Sequence, residues 1–219
     1  MSSRSNRRRS RVIVMARHPE RGRVKTRLAA VLGEDHACAL HHAFVLDLAD
    51  RLGALPYDVL WAYTPAAAPF PALLPHARCI AQVGDDLGER MANAMAAAFA
   101  EDATPVLVIG ADVPHVPAAS LAEAAEMAAT RVVVGPAEDG GYYLIGLPRP
   151  IPELFAGVPW GTAGVLEATR ERAAGLGLAT HLLPPTFDVD EPRDLERLGR
   201  LLERGEVVLP RTHALIAGT

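Results

Sequence analysis

Four aliphatic residues in succession, Val106-Leu-Val-Ile109, limit the fold more than any other stretch of the chain. A strand with one wet face alternates polar and apolar residues. An unbroken apolar run of this length belongs to a strand covered on both faces, as at the centre of a parallel sheet. The run stops at Gly110, presents one acid at Asp112 and turns at Pro114. In an open α/β sheet, ligands bind beyond the carboxyl ends of the central strands, which makes Asp112 a candidate site residue. An aspartate that only begins a turn has the same local pattern, so both readings stand at this point.

The remaining elements follow from hydrophobic period and punctuation. Val12–Ala16, Tyr57–Thr64, Cys79–Gln82, Arg131–Pro136 and Tyr142–Leu147 read as strands. Helical spacing predicts helices opening near Thr26 and over Glu34–Leu52, Leu87–Phe99, Ala118–Ala129, a dozen residues up to Gly175, and Glu191–Glu203. Residues 65–77, rich in Pro and Ala, read as an irregular connection. Strands alternating with helices give a three-layer α/β fold with a mostly parallel sheet. The chain of 219 residues fits one domain over 12–205, between a basic tail, 1–11, and a short tail, 206–219.

Composition removes several classes. Half the residues are apolar, but no run is long enough to span a membrane. Cys38 and Cys79 stand alone, which suggests neither a zinc site nor a disulfide framework, and a cytoplasmic location is expected. Five of the 22 basic residues (Arg4, Arg7, Arg8, Arg9 and Arg11) fall in the first eleven positions without an acid, so the body is more acidic than the net charge of −4 implies. An acidic body with few aromatics argues against a nucleic-acid partner, and the tail reads as a disordered terminus. It has no apolar segment of the kind a secretory signal needs.

Several stretches carry candidate chemistry. The loop Arg17–Leu28 is basic, and Lys25 and Arg27 are placed to hold phosphate oxygens, although its glycine spacing fits no standard phosphate loop and a solvated basic loop looks the same. Gln82, the Gly84–Gly88 turn and Arg90 could line a base or ribose pocket, while Asp86 and Glu89 also suit an ordinary helix start. Asp139-Gly140-Gly141 allows close backbone approach to a ligand, or a tight turn. Trp160, before a helix, could form an acceptor wall or belong to the core. Asp188 and Asp190, two apart, leave one face of an extended backbone, and converging carboxylates call for a cation such as Mg2+ or Mn2+, although an exposed acidic turn before a capped helix has the same pattern. Asp194 fits a helix start better than a ligand. His41 and His42 read as surface or boundary residues.

In their order along the chain, Met15-Ala-Arg-His-Pro, Gly22–Leu28, Gln82–Met91, Ile109-Gly-Ala-Asp-Val-Pro114, Gly135–Gly146, Trp160 and Asp188-Val-Asp190 resemble a bacterial family of unknown function described as GT-A-type glycosyltransferases, or radical-SAM/selenodomain-associated transferases. The resemblance covers about residues 12–200. It implies the Rossmann-like GT-A fold of nucleotide-diphospho-sugar transferases, more distantly similar to phospholactate and molybdenum-cofactor guanylyltransferases. It also implies a metal at Asp112, Asp188 and Asp190, nucleotide phosphates at Lys25 and Arg27, and an acceptor or sugar at Asp139, Gly140 and Gly141. Lys25, Arg27 and Asp112 would then be catalytic. Many glycosyltransferases of this fold carry two acids spaced by one residue at the central strand's end; here Gly110-Ala111 precedes Asp112, which is closer to nucleotidylyltransferases. The expected function is metal-dependent transfer from a nucleotide-sugar to a small-molecule acceptor. The alternatives are nucleotidyl transfer with pyrophosphate release to a phosphate- or carboxylate-bearing acceptor, and a non-enzymatic nucleotide-binding module.

Overall fold

The computed structural model describes residues 10–218. The expected tail 1–11 therefore lies outside the described residues, except for its last two positions. Arg11 already opens the first strand, β1 (Arg11–Arg17), and is buried against Asp58 and Glu101, so it belongs to the fold and not to a tail.

Seven strands form one sheet: β1, β2 (Asp58–Thr64), β3 (Arg78–Ala81), β4 (Val106–Gly110), β5 (Val132–Pro136), β6 (Tyr142–Leu147) and β7 (Thr180–Leu182), in the order β3-β2-β1-β4-β6-β5-β7. Among the described strands, only β6 runs antiparallel to its neighbours, β4 and β5. The all-apolar run of β4 sits between β1 and β6 as a strand covered on both faces must. From β1 the chain first builds outward through β2 and β3, then returns to place β4 on the other side of β1. That reversal opens a crevice at the carboxyl ends of β1 and β4.

Alternation divides the core. Val12 and Val14 of β1 face one layer, with Leu48 and Leu52 of α2 (Glu34–Gly53) and Leu121 of α5 (Ala118–Met127). Ile13 faces the other, with Met91 and Met95 of α4 (Leu87–Ala100) and Ala173 of α6 (Val165–Gly175). A third cluster joins α1 (Thr26–Leu32), α2 and α7 (Pro192–Glu203) through Leu28, Phe44, Leu195 and Leu198. Residues 65–77 contain a single helical turn, α3 (Phe70–Leu73), anchored by buried Phe70.

The expected tail 206–219 is corrected by α8 (Pro210–Ile216), which packs on α2. Asp47, wholly buried on α2, accepts from the backbone N–H of Arg211 at 3.2 Å and of Thr212 at 2.8 Å, and from the Arg211 guanidinium at 3.1 Å. An acid from another element thus satisfies the open N–H groups at this helix start.

Candidate functional site

The crevice is closed at its base by one cation between two acids. Lys25 immediately precedes α1 in a left-handed backbone conformation (φ 47°). Its side chain, 2% exposed, donates to Asp112 just past β4 and to Asp190 at 2.9 Å. Burial alone would lower the Lys25 pKa, but the charges of Asp112 and Asp190 outweigh it and raise the value, so the ammonium stays charged. Burial likewise pushes the Asp112 carboxyl upward, yet Lys25 and then His41 hold it below its ordinary value. The carboxylates of Asp112 and Asp190 remain 47% and 45% exposed, so both also face the open crevice.

Three segments converge here for local reasons. The β1–α1 loop delivers Lys25, and buried Val24 and Leu28 on either side of it anchor that loop. The loop after β4 is fastened by Arg51 of α2, whose guanidinium donates to the carbonyls of Pro114 and, at 2.8 Å, Val116. Segment 187–190 alternates: Phe187 and Val189 enter the core, which leaves Asp188 and Asp190 on the opposite face. The Val189 N–H donates to the Asp112 carbonyl at 3.0 Å, joining this segment to the β4 loop. His115, from the same loop, stacks on Phe187 at 4.3 Å and meets the Thr186 hydroxyl at 3.2 Å.

Asp188 differs from its two neighbours. Burial first, then the negative charges of Asp112, Asp139 and Asp190, push its pKa up to about 7. Asp112, Asp188 and Asp190 all line a cleft of about 360 Å³ with Arg17, Thr64, Gln82, Leu87, Arg90 and the two tyrosines Tyr142 and Tyr143. The three acids singled out from sequence therefore share one cleft, but two of them turn to Lys25. Among the described residues, no group of three His, Cys, Asp or Glu side chains is arranged to hold a metal ion.

Other candidates fall elsewhere. Arg27 is exposed and approaches Glu191 at 3.6 Å, facing a second cleft beyond Asp188 and Asp190 and away from Lys25. The helix turn after Lys25 directs Arg27 to the other side. Gln82 lines the first cleft while its amide donates to the carbonyls of Ala62 at 2.8 Å and Ala16 at 3.3 Å, tying the ends of β1 and β2 together. Arg90 donates to the Gly84 carbonyl at 3.0 Å. Gly88 is a packing position: a Cβ there would lie 2.5 Å from Trp160 Nε1. Trp160 packs against Phe155 and Tyr142. Asp139 accepts from the Gly141 N–H at 2.9 Å and lines the second cleft, and Gly140 (φ 91°) leaves no room for a side chain, since a Cβ would lie 2.2 Å from the Ala163 carbonyl oxygen. Asp194 reaches back to the backbone N–H of Glu191 at 2.8 Å, the helix-start role expected for it.

Three neighbours of Lys25 are additions to the expected set. Arg17 and His41 line the pocket around it, with Arg23. His41 is buried, not a boundary residue; its Nε2 faces the Arg17 carbonyl oxygen at 2.9 Å and therefore carries the proton. Nδ1 lies 4.0 Å from Asp112, and burial lowers the His41 pKa. The signal was present in the helix: Ala37, His41, Phe44 and Leu48 share one face, so the histidine stands on an apolar stripe.

The architecture has solved counterparts. A protein of Desulfovibrio desulfuricans, provisionally named a nucleotide-diphospho-sugar transferase, matches at 37% identity and TM-score 0.90 over 95% of this chain and 94% of that one. CMP:2-keto-3-deoxy-manno-octonic acid synthetase, in complex with CTP, matches at 13% identity and TM-score 0.55 over 91% of this chain and all (100%) of that one. A Mycobacterium tuberculosis protein in complex with manganese matches at 20% identity and TM-score 0.54 over 87% of this chain and 97% of that one. These define the class: the α/β fold of nucleotide-diphospho-sugar transferases and cytidylyltransferases. The profile of a family described as "Uncharacterized protein conserved in bacteria" (DUF2064) matches residues 45–162. The chain belongs to that family. No curated protein matches the sequence.

Proposed function

We propose that the protein is a transferase that binds a nucleotide donor in the crevice at the ends of β1 and β4, and that it transfers the nucleotidyl group to a small-molecule acceptor with release of pyrophosphate. The observation that carries this reading is the dehydrated Lys25 ammonium fixed between Asp112 and Asp190 at the point where the strand order reverses. In nucleotidyl transfer an acceptor oxygen bonds to the α-phosphorus while its bond to the pyrophosphate oxygen breaks, and negative charge grows on the phosphate oxygens. A preorganised cation at that point stabilises the charge without having to be reorganised. Arg17 and Arg23, beside Lys25, add positive potential for the departing pyrophosphate. Thr64, Gln82, Leu87 and Arg90 line the space left for the nucleoside.

Asp112, Asp188 and Asp190 are hard oxygen donors suited to Mg2+ or Mn2+. As they stand, the three side chains are not arranged around an ion, so a metal would bind only if Asp112 or Asp190 turned from Lys25 toward Asp188. When bound, the ion would neutralise charge on the donor phosphates. The manganese complex of the Mycobacterium tuberculosis relative supports this reading.

A second reading, glycosyl transfer from a nucleotide-sugar, is favoured by the name of the Desulfovibrio relative. Incubation with Mg2+, a pool of small acceptors and each nucleoside triphosphate, then each nucleotide-sugar, separates the two. Pyrophosphate release supports nucleotidyl transfer and nucleoside diphosphate release supports sugar transfer. Nucleotide binding without turnover would leave a binding module, and failure to bind any nucleotide with metal present would overturn both enzymatic readings.

A further inference from the structure

A second cleft, of about 480 Å³, lies against the same Asp188 and Asp190. Arg193, Arg197 and Arg200 line it from α7, and Arg27 lines it from α1. The three α7 positions, at i, i+4 and i+7, share one helix face, opposite the stripe of Leu195, Leu198 and Leu202 that enters the core. Arginines on the outer face of an amphipathic helix are ordinarily solvated, so the partners of each decide its reading. Arg197 is spent on Glu138 at 2.7 Å and on the Phe187 ring at 4.0 Å, and Arg193 on Glu191 at 3.1 Å. Six acids line the cleft as well: Asp194 is spent on its helix start, Asp139 on the Gly141 N–H, Glu138 on Arg197, Glu191 on Arg193 and Asp190 on Lys25, which leaves Asp188. Arg200 has no ion pair among the described residues, and Arg27 stands 3.6 Å from a Glu191 already held by Arg193. Two guanidiniums are left to face a cleft whose floor reaches the candidate reaction site, in a protein of net negative charge. Guanidinium forks match phosphate and carboxylate oxygens.

We propose that this cleft is the acceptor subsite, and that Arg27 and Arg200 bind the phosphate or carboxylate of an anionic small molecule whose reacting oxygen then lies over Asp188 and Asp190. The acceptor role rests on the transferase reading above; anion binding by the cleft does not. Donor and acceptor would thus enter from opposite sides of the Asp188–Asp190 segment, the donor on Lys25 and the acceptor on the arginines.

Inorganic phosphate and malonate are titrated by calorimetry into the wild type, Arg27→Gln/Arg200→Gln, Lys25→Met, and Arg131→Gln/Arg149→Gln. The last pair removes two exposed arginines remote from the cleft as a control for net charge. The wild type should bind at least one anion with millimolar affinity. The Arg27/Arg200 variant should weaken it fivefold or more with an unchanged melting temperature, while the Arg131/Arg149 variant keeps it. Phosphate binding alone would assign a phosphate-bearing acceptor, malonate binding alone a carboxylate, and both would support the subsite. Equal affinity in the Arg27/Arg200 variant and the wild type, or a loss confined to Lys25→Met, would overturn it. If nucleotide binding proves indifferent to Lys25→Met while the Arg27/Arg200 effect persists, the donor reading fails and the anion site stands.

Discussion

Lys25 Nζ donates to Asp190 Oδ1 at 2.9 Å across 165 positions of sequence, and so joins the first loop of the fold to the segment before α7. With Asp112 as its other partner, Lys25 ties together three loops that share no secondary structure. Its burial costs hydration that is returned chiefly by the two carboxylates, with the Phe44 ring 5.7 Å away, which makes the contact sensitive to anything that competes for those oxygens. Phosphate oxygens and divalent ions are such competitors.

Replacing Lys25 by Met should therefore destabilise the fold less than an ordinary buried ion pair would predict. Breaking a fully buried pair costs about 3–5 kcal/mol, but Asp112 and Asp190 are nearly half exposed and can rehydrate. A loss of about 1–2 kcal/mol by urea unfolding is expected. A loss above about 4 kcal/mol would make Lys25 chiefly a structural residue.

Arg51 is expected to act through the Asp112 loop. Arg51→Ala leaves the Pro114 and Val116 carbonyls without their donor and should cost about 2–3 kcal/mol. With the loop loosened, kcat should fall about tenfold or more while KM for the nucleotide changes little, since a positional error of an ångström at a site costs rate more than binding. Arg51→Lys, which can still reach one carbonyl, should recover part of both. Normal kcat in a destabilised Arg51→Ala would confine the residue to stability.

Stability in acid should carry two opposed signatures in metal-free protein. Burial, then the charges of Arg51 and Arg197, lowers the His115 pKa from 6.5 to about 4. The unfolded chain then takes up this proton first, so stability falls as pH drops from about 6.5 to about 4, by up to about 3 kcal/mol. Asp188 works the other way: with its pKa raised from 3.8 to about 7, the folded protein takes up the proton first, and stability rises as pH falls through that interval. Unfolding curves between pH 7.5 and 4 should show His115→Gln losing less stability in acid than the wild type, and Asp188→Asn losing more. Parallel curves for all three proteins would contradict both assignments.

Asp47→Ala should cost about 2–4 kcal/mol, because it strips a buried charge-assisted partner from the backbone N–H groups of Arg211 and Thr212. Limited proteolysis should then cut within 206–218 before the rest of the domain. Uniform resistance there would show that α8 is held by its apolar contacts alone.

Most of the sheet was legible because strand burial writes directly into sequence. The run Val106–Ile109 predicts a central strand, and the alternation Phe187-Asp-Val-Asp190 predicts which side chains reach the crevice. What escaped was set by long-range packing. The three-residue β7 exposes two of its side chains and is held by pairing with β5, so it has no apolar signature of its own. Asp47 looks like any helix-surface acid until α8 docks on it. Lys25 and Arg27, two residues apart in a basic loop, read alike, but the left-handed turn at Lys25 and the start of α1 send one inward and the other to the second cleft. Spacing paired Asp188 with Asp190, and the family resemblance added Asp112, but neither revealed that a lysine stands between two of them.

Under the proposed function, Lys25 and Asp112 form a nucleotide-phosphate site. Calorimetric titration of each nucleoside triphosphate with Mn2+ into the wild type, Lys25→Met and Asp112→Asn tests it most directly, with folding of each variant checked by thermal melting. Binding of at least one nucleotide by the wild type, dependent on Mn2+ and weakened about thirtyfold or more in both folded variants, a loss of about 2 kcal/mol, is the predicted result. Equal nucleotide affinity in all three proteins, or no binding by the wild type, would contradict it.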